Sequence, residues 1–249
     1  MNYDLIRRKI SLPKASQLFL FPHPVYPYND VVLGVKVNGP NGDYRVMRAV
    51  DTNSFISYRI RGEAEKIIGV YQNYFISKKN SIIVEISQVT SRNALDTISD
   101  DIRSEILKIM KEVEFDTKLN MLYYNRTRKI IDLYFENLVA MAEEFSPVRL
   151  KLVPMLYLPL DSKIFKHKLI FEDHELLRCN INRKATYGSL EHKHHYQYLQ
   201  NQIKWRAMAI DQEFYPIYFD LFWGMRNSCN DRFHSWGNNL FQTNLGIPE

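Results

Sequence analysis

The sequence predicts an α+β protein: a β-sandwich-like, strand-rich core with an N-terminal helical arm and flanking helices. Three observations carry that prediction. Short apolar, β-branched runs separated by turn residues fill most of the first two thirds of the chain. The stretch 189–230 has mostly helical spacing. No internal repeat, low-complexity tract or flexible linker separates the two regions, so they are expected to share one core. The 249 residues divide into an arm and Pro-rich connector, 1–28, and a single α+β domain, 29–249.

In the arm, Tyr3, Leu5, Ile6 and Ile10 leave a basic face at Arg7, Arg8 and Lys9, which suits a short amphipathic helix. Pro13 ends it. Residues 19–28 are rich in proline and read as a rigid, extended connector. Residues 31–37 and 44–50 read as a hairpin closed by the turn signal Asn38-Gly-Pro-Asn-Gly-Asp43. A helix is expected over 63–71, with Ala64, Ile67, Ile68 and Tyr71 on one face, and a buried strand over 81–87. The clearest helix is 100–113, where Ile102, Ile106, Ile109, Met110 and Val113 share a stripe, acidic residues open it and Lys108 and Lys111 lie near its end. Residues 119–124 and 130–135 suggest a second hairpin with a basic tip at Arg126-Thr-Arg-Lys129. Residues 148–158 and 164–171 alternate as strands. Pro216 is expected to start or kink a last, heavily apolar helix.

Composition is globular, with 45% apolar and 24% charged residues. No apolar run approaches the ~20 residues needed to span a bilayer, and no signal-peptide core is present, so cytosol is the expected compartment. Cys179 and Cys229 read as free thiols. The net charge of +5 permits nucleic-acid contact without concentrating into a block. Aromatics make up 13% of the chain, with 16 Tyr among them. They suit either extensive interfaces or an aromatic core.

Several clusters invite a chemical reading. Glu191, His192, His194 and His195 have spacings that zinc can use on a helix, but the His-Glu-x-x-His pattern is absent and no second ligand pair follows. A solvated helix face is the expectation there, and no metal. Arg226-Asn227…His234 resembles the Arg-Asn…His signature of HEPN-type RNases, in which Arg and His act on a phosphodiester. Seven residues separate Arg226 from His234, where that family has four to six, and the alternative expectation is that Arg226 and Asn227 bridge or cap a helix end. Asn38-Gly-Pro-Asn-Gly lacks the Lys-Ser/Thr of a phosphate-binding loop. Ser11 and Ser54 lack a nucleophile context. Glu143-Glu144 and Glu172-Asp173 lie in ordinary polar stretches. Tyr123, Tyr124, Arg126, Arg128, Lys129 and Tyr134 could contact nucleic acid or another protein copy. No catalytic residue is assigned, and the protein is expected not to be an enzyme.

The order of features over residues 31–76 resembles that of cypovirus polyhedrins, and the likeness continues weakly through 81–96 and 123–136. Arm, strand, Gly-containing turn, strand, polar segment and amphipathic helix follow one another in both. The resemblance implies a structural protein that self-assembles as trimers into the crystalline matrix of viral occlusion bodies in the host cytoplasm, around virus particles. It implies dissolution at alkaline pH, and nucleotide binding in some members through residues that cannot be placed here. No other cofactor, no membrane and no nucleic-acid partner are expected. The tyrosines fit alkaline release, because phenols ionise at about pH 10 and would reverse the sign of the net charge. RNA binding or HEPN-like RNA cleavage is the alternative.

Overall fold

The computed structural model describes residues 25–38, 44–47, 49–50, 54–55, 64–112 and 123–220. Among these the architecture is helical, which overturns the strand-rich sandwich. In chain order the helices are α1 (Tyr28–Leu33), α2 (Ala64–Ser77), α3 (Lys79–Gln88), α4 (Arg92–Glu112), α5 (Tyr124–Met141), α6 (Arg149–Leu152), α7 (Ser162–Lys166), α8 (Asp173–Arg178) and α9 (Lys193–Ile210). The β structure among the described residues is one hairpin, β1 (Val35–Asn38) with β2 (Tyr44–Met47), and an isolated bridge between Tyr26 and Ala142. The hairpin is antiparallel, with Val35 opposite Met47 and Asn38 opposite Tyr44. Its first strand begins later than the sequence suggests, because residues 28–33 are helical. Gly34 makes the change of direction at φ 103°, where a side chain is strained. The N-terminal arm lies outside the described residues.

The long helices show why the strand reading failed. In α3, Ile82 and Ile86 are buried while Val84 is exposed. Helix and strand both place residues four apart on one side, and only the residue between them separates the two periods. α4 begins two turns before the acidic residues expected to open it. Ser91 caps it, accepting the backbone N–H of Ala94 at 3.2 Å. Leu95, Ile102, Ile106 and Met110 form its buried stripe.

α5 is the centre of the bundle. Every residue from Tyr124 to Met141 except Arg126 and Leu133 is buried, and α1, α4, α6 and α9 all pack on it. A helix covered on all sides has no solvent-facing side, so its apolar residues show no amphipathic spacing. Of the expected hairpin with a basic tip, residues 119–122 lie outside the described residues, and residues 124–135 belong to this one helix. Its C-terminal carbonyls are held by Arg149, whose Nε donates to Val139 O at 2.6 Å.

Residues 148–158 form α6, a 3-10 turn over Val153–Met155 and an unpaired extended stretch, rather than a strand. Residues 164–171 belong mainly to α7 and a following turn. Asp161 caps α7, accepting from Lys163 N at 2.8 Å and Ile164 N at 3.2 Å. Residues 216–220 are a 3-10 segment that begins at Pro216, as its fixed φ favours.

Tyrosine fills the interior. Phe75 stacks on Tyr134 with centroids 4.1 Å apart, Tyr71 stacks on the same Tyr134 at 6.3 Å, and Phe55 meets Tyr71 edge-on at 5.5 Å. The Tyr28 hydroxyl donates to Phe75 O at 3.2 Å. Of the two roles open to the tyrosines, core filling is the one adopted by Tyr28, Tyr71, Tyr74, Tyr124, Tyr134, Tyr157, Tyr187, Tyr196 and Tyr218. Burial raises the pKa of Tyr28, Tyr74, Tyr124 and Tyr196, and pushes Tyr157 up to about 12. These phenols therefore do not ionise near pH 10 while the chain is folded.

The Pro-rich connector ends by docking. Tyr26 N donates to Met141 O at 2.9 Å, and Glu143 N donates to Tyr26 O at 2.8 Å. The Glu144 carboxylate accepts from Tyr28 N at 2.9 Å and pairs with Lys79 at 2.7 Å. No helix among the described residues is long and apolar enough to cross a membrane.

Candidate functional site

A polar stripe runs through the otherwise apolar α5: Asn125, Arg128, Lys129, Asp132 and Glu136 recur at helical spacing on one side. All five are buried. A helix that carries four ionisable groups into a core must bring partners to them, because an isolated buried charge is strongly disfavoured.

Arg128 is fully buried, with 0% exposure. Its Nε donates to Asp132 Oδ1 at 2.8 Å, one turn along the same helix, and its Nη1 donates to Asp96 Oδ1 of α4 at 2.6 Å. Nη1 also reaches the Tyr124 hydroxyl at 3.1 Å, and Asp100 Oδ1 lies 3.6 Å away. The guanidinium lies against the rings of Tyr157, 4.7 Å from the centroid, and Tyr196, 5.0 Å away. Nη2 has no hydrogen-bond partner.

An outer ring orients the acids. The Tyr196 hydroxyl donates to Asp132 Oδ2 at 2.7 Å, Gln197 donates to Asp96 Oδ2 at 3.0 Å, and the Tyr124 hydroxyl donates to Asp100 Oδ1 at 2.5 Å. Lys193, at the start of α9, pairs with Asp100 and lies 3.7 Å from Asp96, closing the solvent side. Behind Tyr157 a second guanidinium, Arg92, stacks at 4.1 Å and donates to Gln200 at 3.0 Å.

The electrostatics follow from burial against pairing. Burial opposes the charge on Arg128, but Asp132, Tyr196, Tyr124 and Asp96 overcome it and leave its pKa raised. Burial pushes Asp132 up to about 6 even though Arg128 pulls it down. The two partners thus shift in the same direction, which a simple ion pair would not do. The 2.8 Å contact decides the state: with the carboxyl near 6, the pair is ionised at neutral pH.

The rest of the stripe comprises a Lys–Asp pair, an amide and a pair of carboxyls. Lys129 pairs with Asp161 at 3.5 Å and lies 4.5 Å from the centroid of the Tyr187 ring. The Asn125 amide donates to Leu160 O and Tyr187 O at 2.9 and 3.0 Å. Burial raises the carboxyl of Glu136, and Asp220, which shares a hydrogen bond with it, adds to the rise. Burial also pushes Asp220 up to about 7. Two carboxyls that share a hydrogen bond, one of them buried, hold a proton between them.

The basic–aromatic set suggested for nucleic acid is therefore mostly internal: Arg128, Lys129, Tyr124 and Tyr134 are core residues, and only Tyr123 and Arg126 are half-buried. The histidine rings do gather, with centroids 5.3 Å apart for His192 and His194, 4.2 Å for His194 and His195 and 5.4 Å for His192 and His195. His192 and His194 are exposed and His195 half-buried. Among the described residues no group of three or more His, Cys, Asp or Glu is arranged to hold a metal ion. Burial, then His194 and His192, lower the pKa of His195. Cys179 is buried, and its thiol is pushed up to about 11, first by burial. Glu172 caps α8 in a capping box with Glu175, and Asp173 pairs with Arg183 at 2.5 Å, so neither carboxylate pair forms a joint site. Arg226, Asn227, Cys229, His234 and Ser11 lie outside the described residues.

Sequence reasoning did not single out Asp96, Asp132, Glu136, Tyr157, Tyr196 or Gln197. The available signal was the spacing of polar residues inside the apolar segment 124–142. Chemically, the cage holds one cation among fixed acceptors and is closed to solvent except at Asp100 and Lys193. That arrangement ties α4, α5 and α9 to one another. No protein-family model, curated protein or solved structure matches this chain.

Proposed function

We propose that this chain is a structural protein that acts by associating with further copies of itself and not by catalysis. The observation that carries this reading is the outer face of α9, where Trp205 and Met208 are 60% and 59% exposed, one helical turn apart. Large apolar side chains grouped on one face mark interaction surfaces. The charged groups in the bundle point the other way: they neutralise one another inside it. The proposal keeps self-association from the occlusion-body resemblance and leaves out the sandwich architecture that came with it. Three of the residues suggested for RNA contact, Arg128, Lys129 and Tyr134, are buried, which favours self-association over that alternative. The test is the molar mass of the purified chain across a hundredfold range of concentration, by light scattering after size exclusion. A mass that stays at one chain throughout refutes the proposal.

A further inference from the structure

The proposed self-association leaves open which surfaces meet; the following rests on that reading. We infer that two copies pack α9 against α9, antiparallel about a two-fold axis that crosses between Trp205 and Met208. α9 presents two opposite faces. Tyr196, Leu199, Ile203, Ala207 and Ile210 are buried against the bundle. Asn201, Lys204, Trp205 and Met208 are exposed on the other side. Their spacing is the i, i+3, i+4, i+7 pattern of a helix that packs on another helix.

The occupant is identified by charge. Cationic groups lie on the N-terminal side of the Trp205–Met208 pair, where Lys204 is exposed and Arg178 of α8 lies 4.9 Å from the centroid of the Tyr198 ring. The face is anionic just beyond its C-terminal end, where Asp211 and Glu213 are exposed. A second copy laid antiparallel brings the cationic groups of each helix to the anionic end of the other. A parallel copy opposes like charges. With the crossing point between Trp205 and Met208, the rise of 1.5 Å per residue puts Lys204 within about 3 Å, along the axis, of Asp211 in the second copy. Trp205 of each copy then lies over Met208 of the other. An isologous contact of this kind requires that one patch be complementary to itself, which this one is in the order of its charges.

The platform is rigid. Arg206 and Glu175, both buried, pair at 2.6 Å and pin α8 to α9. The same helix carries Tyr196, Gln197 and Gln200 into the cage. The face is therefore presented without rearrangement, which lowers the entropic cost of docking.

The test is sedimentation equilibrium of the full chain and four variants, each first shown by circular dichroism to melt within a few degrees of the parent. Trp205→Ala with Met208→Ala is expected to weaken dimerisation at least tenfold. Lys204→Glu alone and Asp211→Lys alone should each weaken it severalfold. The two charge changes combined in one chain should restore it to within about threefold, because each altered end meets the altered end of its partner. A parent dimer indifferent to Trp205 and Met208, or a combined charge variant weaker than either single one, overturns this contact while leaving self-association standing. A parent chain monomeric at every concentration overturns both.

Discussion

Replacing Arg128 by Met is the most direct probe of the cage. The side chain is fully buried, so solvent cannot take over its role. The substitution keeps most of the volume and removes the charge, leaving Asp96 and Asp132 without their shared donor. Breaking a buried ion pair from one side costs about 3–5 kcal/mol, set against a total stability on the order of 5–15 kcal/mol. Asp132 has an escape: its carboxyl is already pushed up to about 6 by burial, and without Arg128 pulling it down it rises further and takes a proton at neutral pH. The destabilisation is therefore expected near the lower end of that range and to shrink as pH falls from 7.5 to 5.5. Adding Asp132→Leu removes the stranded acid and should recover at least half of the loss, as apolar replacement of buried ion pairs does elsewhere. Urea unfolding followed by circular dichroism at both pH values gives the four free energies of the cycle. A cost below about 1 kcal/mol for Arg128→Met, or a double variant no more stable than the single one, would refute the view that these charges hold one another.

Three further outcomes are expected. The carboxyls of Glu136 and Asp220 are raised in the folded chain, so the folded state holds a proton that the unfolded state releases. Stability should be fullest near pH 4 and fall as pH climbs through about 7, and Glu136→Gln should flatten that fall in urea titrations at pH 5 and 8. The raised phenols run the same way at alkaline pH: absorbance titration should show Tyr28, Tyr124 and Tyr196 ionising only as the chain unfolds, and a smooth titration of all tyrosines near pH 10 would contradict their burial. Gly34→Ala, at φ 103°, should lower stability by about 1 kcal/mol or more in thermal melts, and no loss would mean that the turn into β1 adopts another conformation.

Helices with one wet face were legible in the sequence. α2 and the C-terminal part of α4 were placed from Ile67, Ile68, Tyr71, Ile102, Ile106 and Met110, which are buried as their spacing implies, apart from the partly buried Ile109. α3 was not legible, because Ser-Ile-Ile-Val-Glu-Ile-Ser favours strand by its β-branched content and tertiary packing overrides that preference. α5 failed for the opposite reason: its apolar residues face neighbours all round, so the period that marks a helix is absent from them and survives only in the polar stripe. Reading that stripe as the tip of a turn hid the cage. Its partners lie far away in the chain, with Asp96 32 positions before Arg128 and Tyr196 64 positions after Asp132. No local pattern joins such residues.

Those separations bear on how the molecule is made. During synthesis Arg128 emerges well before α9, and until Lys193, Tyr196 and Gln197 follow, its cluster of acids lacks its lid and the donors that α9 supplies. Helical segments of the earlier chain are then held only weakly, since closing contacts over so long a span comes late in folding. The cage is therefore expected to close only after α9 has been added. A chain stopped at residue 190 should be digested rapidly by protease under conditions in which the full chain resists it.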